Sequence, residues 1–92
     1  MKKPTPAKEI LEAIKEEAIH LWGKNWFAEL VRAYCEVEGE VTGTTPMPKT
    51  RRSQLERAFE VGGTSLETVI WLTACVNGEL QLVFHRVEIK KF

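Results

Sequence analysis

A helix with one apolar side is predicted for residues 50–63, which read TRRSQLERAFEVGG. Leu55, Ala58 and Phe59 recur at the spacing of one helical face, and they are the residues that this helix is expected to turn inward. Four long polar side chains occupy the other positions, and we expect them to point largely to solvent: Arg51, Arg52, Gln54 and Arg57.

The ends of this helix carry recognisable stop and start signals. Thr50 is expected to cap the first turn, because its side-chain oxygen can accept a hydrogen bond from a free backbone N–H. The pair Gly62-Gly63 ends the helix as a left-handed C-cap, which places the helix at residues 50–61. Between Lys49 and Arg57 there are four basic residues and one acidic residue, so the sequence predicts a local positive patch on a chain of zero net charge.

The next segment, residues 65–77, is compatible with two structures. Its β-branched residues and the Asn77-Gly78 pair would suit a hairpin of residues 68–76 with residues 79–87. The run Thr64-Ser65-Leu66-Glu67, however, matches a capping box, with a glutamate three residues after the cap. Apolar residues also recur at helical spacing, and Asn-Gly serves equally well at a helix C-terminus, so a helix is favoured and the hairpin stays open.

Residues 79–92 are predicted to form a β tail. Apolar and polar residues alternate from Glu79 to Phe84, as they do in a half-buried strand. Residues 86–92 either continue this strand or pair back on it. An exposed edge of such a strand could pair with a second copy of the chain, which makes a homodimer the expected assembly.

Toward the N-terminus, glycine, threonine and proline crowd into residues 37–49, and this composition predicts a loop. Two amphipathic helices are predicted before it. The first spans residues 5–22, with Thr5 as cap and a proline at the first helical position. The second spans residues 25–36, with Asn25 as cap, and the aromatic residues of the two helices are expected to form most of the core.

Composition limits the classes of protein that this chain can belong to. Residues 1–92 suit a single domain, and the charged N-terminus does not resemble an export signal, so a cytoplasmic location is expected. Cys35 and Cys75 are then expected to be reduced and buried. They and the two histidines stand singly, so no metal site is expected. The chain contains no aspartate and no glycine-rich phosphate loop, so neither an enzyme nor a cofactor is expected.

The order of these elements over residues 50–84 resembles the lambda-repressor/Cro-type (Xre-like) helix-turn-helix regulators. Three pieces carry the resemblance: Ser53–Glu60, then Gly62–Val76 with its Ser65-Leu66-Glu67-Thr68-Val69 helix start, then Gly78–Leu82 as a terminal strand. The resemblance implies a mainly α (α+β) domain of four to five helices, with a C-terminal β-strand or short hairpin. It also implies that residues 50–61 are the recognition helix and residues 25–36 the supporting helix.

Members of that family bind double-stranded DNA with the recognition helix in the major groove, without a cofactor. Carried over by position, the base-reading residues would be Arg51, Arg52 and Gln54, because arginine suits guanine and glutamine suits adenine. The phosphate-contacting residues would be Lys49, Thr50, Ser53 and Arg57. One departure concerns the connection between the two helices, which is a tight turn in the family and is expected here to span residues 37–49.

Two functions follow from the sequence. The first is a small sequence-specific DNA-binding protein, a transcriptional regulator or antitoxin-like autoregulator that acts as a homodimer. The alternative is a protein-binding adaptor that keeps the fold without binding DNA, which the long loop and the acidic first helix favour. Weakening of DNA binding by salt distinguishes them, because only a DNA-binding protein competes with ions for phosphates.

Overall fold

The computed structural model describes residues 4–84 and 88–92, which form a mainly helical domain with a C-terminal antiparallel hairpin. Within these residues the helical positions form three uninterrupted segments, so the expectation of four to five separate helices is wrong. The reason is that a 3-10 turn joins the first two α-helices without a break. The elements are α1 (Ala7–Trp22), the 3-10 turn Gly23–Asn25, α2 (Trp26–Thr42), α3 (Pro48–Val61), α4 (Leu66–Cys75), β1 (Gln81–Phe84) and β2 (Glu88–Lys91).

The first two helices begin differently from the sequence-based expectation. α1 begins at Ala7 and is flanked by Pro6, so Thr5 is not its cap. Asn25 makes no capping hydrogen bond either, because it lies inside the 3-10 turn that leads directly into α2. Gly23 does end α1 as expected, and its φ of 63° allows the chain to bend there.

α2 is longer than predicted, and the expected loop at residues 37–49 is wrong. The helix continues to Thr42 and ends at Gly43, whose φ is 84°, so only residues 43–47 connect it to α3. Gly39 lies inside the helix, and Thr45 of the connection folds back against it. A Cβ at this position would overlap the Thr45 side chain, so the glycine that suggested a loop serves a close approach instead.

α3 also begins earlier than predicted, at Pro48 rather than after Thr50. Met47 flanks the helix in an extended conformation and Pro48 occupies its first turn, where the missing N–H of proline removes no helical hydrogen bond. Thr50 is therefore a helical residue and not the cap. Gly62 ends α3 with a φ of 78°, which confirms the left-handed C-cap.

Residues 66–75 form a helix, which decides between the two structures that the sequence left open. Ser65, not Thr64, is the cap: its Oγ accepts a hydrogen bond from the N–H of Thr68 at 3.2 Å. At the other end Asn77 adopts a left-handed conformation with a φ of 62°. The N–H of Gly78 donates to the carbonyl of Thr73 at 2.9 Å, so Asn77-Gly78 closes a helix rather than a hairpin.

The core draws on all four helices. One leucine from each α-helix has at most 1% of its surface exposed: Leu11, Leu30, Leu55 and Leu72. The hairpin lies outside this core. Its strands pair in the register Gln81 with Lys91 and Phe84 with Glu88, and within the described residues no strand Cα lies within 8 Å of a helix Cα.

Candidate nucleic-acid interface

α3 presents most of the predicted DNA-contacting residues on its outer surface. Leu55 and Ala58 turn inward and are buried, which fixes the opposite side of the helix toward solvent. Six of the seven predicted residues are exposed there: Lys49, Thr50, Arg52, Ser53, Gln54 and Arg57. These six residues together are called the α3 face below.

The seventh residue, Arg51, does not point to solvent, so this expectation is wrong. Its Nε donates to Oε1 of Glu38 at 2.9 Å, and its Nη2 donates to Oε2 of the same carboxylate at 2.7 Å. Only 29% of the Arg51 side chain is exposed. Such a two-pronged arrangement is the strongest geometry that a guanidinium and a carboxylate form, and the hydrogen bond to Glu38 raises the pKa of Arg51 further.

The ion pair joins α2 to α3. Glu38 lies on α2 and is 8% exposed, so its carboxylate is largely shielded from water and depends on its partner. Arg51 lies one turn into α3. The pair therefore sets how α3 is rotated and inclined relative to α2, and with it the direction in which the α3 face looks.

Arg51 also contacts a predicted base-reading residue. Its Nη1 donates to Oε1 of Gln54 at 3.3 Å, across one turn of the same helix. Gln54 is otherwise exposed. The contact holds the carboxamide near the start of α3 while its amide nitrogen has no partner among the described hydrogen bonds.

Arg52 is exposed but rests on an aromatic surface. Its guanidinium carbon lies 5.4 Å from the ring centroid of Phe27, a cation–π distance. Phe27 packs edge-on against Trp26 and Phe59, and Lys15 lies over Trp26 at 5.3 Å. Trp26, Phe27 and Phe59 are partly buried against the core rather than part of it, so the expectation that the aromatic residues of the first two helices form most of the core is wrong for Trp26 and Phe27. The three rings hold the planar guanidinium of Arg52 in a defined position on the α3 face.

Charge is unevenly distributed along α3. The first turns carry Lys49, Arg51 and Arg52 without an acidic residue, and Glu56 and Glu60 follow only in the second half. Since Arg51 is neutralised by Glu38, the exposed positive charge of the first turns comes from Lys49 and Arg52. A helix N-terminus adds its own partial positive charge, so this end of α3 is the part suited to phosphate.

A polar network beside the ion pair could not be foreseen from sequence patterns. The hydroxyl of Tyr34 lies 3.4 Å from Oγ1 of Thr68, which also accepts a hydrogen bond from Oγ of Ser65 at 2.9 Å. Burial raises the pKa of Tyr34. These residues connect α2 to the first turn of α4, so α4 is fixed to the same helix that positions α3.

The cysteines lie in apolar surroundings. Cys35 is buried and Cys75 is half-buried. Burial raises the pKa of the Cys75 thiol to about 12, so it stays protonated and unreactive at neutral pH. Residues 4–84 and 88–92 contain no group of three or more metal-ligating His, Cys, Asp or Glu side chains.

Comparisons with known proteins leave the geometry as the basis for assigning a function. No family model, curated protein or solved structure matches the chain. Among the described residues no helix has both the length and the apolar character that a membrane crossing requires.

Proposed function

We propose that this chain is a small sequence-specific DNA-binding protein of the lambda-repressor/Cro type, acting as a transcriptional regulator or antitoxin-like autoregulator. One observation carries the proposal. α2 and α3 are joined by residues 43–47 and clamped by the Glu38–Arg51 ion pair, while α3 turns a basic and polar face outward. A rigidly held, outward-facing helix is what major-groove recognition requires.

The short connection between α2 and α3 supports this proposal. The loop that the sequence predicted for residues 37–49 had counted against it. A loop of residues 37–49 would leave the two helices free to move against each other. Instead α2 runs to Thr42, and Thr45 packs against Gly39. The helix pair consequently has the tight joint that the resembled family uses.

The proposed roles of the residues follow from where their side chains lie. Arg52 and Gln54 read base edges, because both are exposed and held near the start of α3, from which recognition helices read bases. Lys49, Thr50, Ser53 and Arg57 contact phosphates and set the register. Arg51 is a positioning residue, since Glu38 occupies the guanidinium edge that would otherwise face a guanine.

Selection of bound sequences from a random DNA pool tests the proposal directly. We expect a preferred site, and we expect the double change Arg52→Ala with Gln54→Ala to abolish preference among sequences. Arg57→Ala should weaken binding to all sequences alike and lower the salt dependence by about one phosphate contact. Arg32→Ala is the matched control, because Arg32 is an exposed arginine on α2 outside the α3 face.

Two results would contradict the proposal. One is a preferred site whose recognition is unaffected by the double change, which would place recognition elsewhere on the chain. The other is the absence of any DNA binding at low salt. In that case the protein-binding adaptor becomes the better description, and the exposed apolar residues beside α4 are the observation that favours it.

A further inference from the structure

An apolar groove separates α4 from the hairpin. Leu66 and Ile70 line it on the helix side, and Leu80, Leu82 and Phe92 line it on the hairpin side. Four of these five side chains are exposed: Leu66 by 69%, Ile70 by 38%, Leu82 by 53% and Phe92 by 70%. Side chains of this kind normally belong to a core or an interface, so the groove is an unfilled contact surface.

The two strands of the hairpin that forms one wall do not pack closely on the helices. Its strands are bridged to each other, and the N–H of Phe92 donates to the carbonyl of Leu80 at 3.2 Å. Neither strand comes within 8 Å of a helix, measured between Cα atoms of the described residues. Two-stranded hairpins are marginally stable on their own in water. Pairing with a further strand would therefore stabilise this hairpin.

The two strands differ in whether they accept a further strand. β2 reads EIKK and contains three charged residues, whereas β1 reads QLVF and contains none. Charged residues on an edge strand discourage pairing with other chains. The edge of β1 that does not face β2 has no such protection.

We propose that a second copy of this chain occupies the groove. The β1 strands of the two copies pair antiparallel about a two-fold axis, which produces a four-stranded sheet. The sheet face that carries Leu82 and Phe84, together with both α4 helices, encloses the groove residues of both copies. This proposal goes beyond DNA binding and stands on the groove and the strand edge alone.

The available area and charge both fit a second copy. The four exposed groove residues and Phe84, which is 42% exposed, offer roughly 500 Å² per copy if a large apolar side chain presents about 200 Å². Two copies together then bury roughly 1,000 Å², the lower range of specific interfaces, before the paired backbone is counted. A net charge of zero leaves no overall repulsion between copies.

Measuring the mass of the full chain in solution, by light scattering and sedimentation, tests the proposal. We expect a dimer for the natural sequence. Leu66→Glu should raise the dimer dissociation constant roughly 30-fold or more, as the loss of one central contact does. Because Leu66 is exposed at the start of α4, where a carboxylate is favourable, the variant monomer should stay folded.

Val41→Glu is the matched control for that variant. Val41 is 62% exposed at the end of α2, outside the groove, so its replacement should leave the dimer intact. A natural chain that stays monomeric at hundred-micromolar concentration would overturn the proposal and leave the groove to another protein. A dimer that survives Leu66→Glu unchanged would also overturn it, because the contact would then lie elsewhere.

A charge-swap experiment tests the strand pairing and does not depend on whether Leu66→Glu folds. With the two-fold axis placed at Leu82, the centre of the exposed apolar part of β1, antiparallel pairing brings Leu82 of the two copies close together. Leu82→Lys alone and Leu82→Glu alone should each be monomeric, and an equal mixture of the two should form a heterodimer. Failure of the mixture to associate would overturn the paired-strand arrangement. DNA binding is scored separately through Arg57→Ala, so the two proposals can fail independently.

Discussion

Two contacts between elements differ in how they are built. The joint between α2 and α3 consists of the Glu38–Arg51 ion pair and the Gly39–Thr45 contact, whereas the groove between α4 and the hairpin is lined by apolar side chains. Where α2 meets α3, a shielded ion pair and a close contact at Gly39 hold the two helices together. At the groove, five apolar side chains face each other without closing it. The contact between α2 and α3 is complete within one chain, whereas we propose that a second copy fills the groove.

This difference corresponds to two proposed roles, which are orientation of the α3 face and association with a second copy. The joint holds the direction of a surface, and polar contacts suit that purpose because their geometry is directional. The groove offers apolar surface for burial but does not fix an orientation, since the free energy of apolar burial depends mainly on the surface area removed from water. Three measurements test this contrast.

The largest expected effect concerns the joint. Glu38→Ala leaves Arg51 without its partner in a partly shielded site, and we expect a loss of about 3 kcal/mol in the free energy of unfolding. Urea denaturation gives the value. Glu29→Ala is the control, because the Glu29–Arg32 pair is longer, at 3.6 Å, and more exposed, so it should cost less than about 0.5 kcal/mol. Equal losses in the two variants would show that the joint is not closed by this ion pair.

A smaller effect is expected from the buried side of α4. Burial disfavours the charged thiolate of Cys75 and raises its pKa from an ordinary 9.0 to about 12. The contribution of this group to the stability of the fold is therefore fully present below pH 9, where the thiol is neutral in both the folded and the unfolded chain. That contribution is lost as the pH rises from 9 toward 12, because the unfolded chain releases the proton first. Between pH 8 and 10 the natural chain should lose about 1 kcal/mol more stability than Cys75→Val. Parallel pH profiles would mean that water reaches this face of α4.

The smallest effect is expected on the groove side of the same helix. In dilute protein, where copies separate, Leu66→Ala should change the free energy of unfolding by less than about 0.5 kcal/mol, because the side chain is largely exposed. Leu72→Ala, at a fully buried position of α4, should cost about 3 kcal/mol. A comparable loss for Leu66→Ala in monomeric protein would mean that the groove belongs to the core of a single chain.

Much of the fold could be predicted because local signals agree with the final packing. Gly23 and Gly62 mark real helix ends, and the helix at residues 66–75 follows from its apolar spacing and its cap region. The loop at residues 37–49 was wrong because two local signals misled. Glu38 interrupts the apolar stripe of α2, and Gly39 reads as a loop residue. Both are explained only by distant partners, Arg51 and Thr45, which no local pattern identifies.

The candidate site was predictable to the same degree. Amphipathic spacing correctly placed Arg52, Gln54 and Arg57 on the outside of α3. It also placed Arg51 there, because spacing gives the direction of a side chain from its own helix but not the neighbours that reach it. The carboxylate of Glu38, thirteen residues earlier, lies at the border between the inner and outer sides. Only the packing of α2 on α3 shows that it captures this arginine.

The contact between Gly39 and Thr45 has a consequence for altering this protein. Because the connection rests directly on the backbone of α2, it has no slack, and an inserted residue would have to lift it away. The outward-facing positions of α3 take no part in that contact. Those positions can therefore be substituted to alter the proposed DNA target, provided that the length of residues 43–47 and the glycine beneath them are left unchanged.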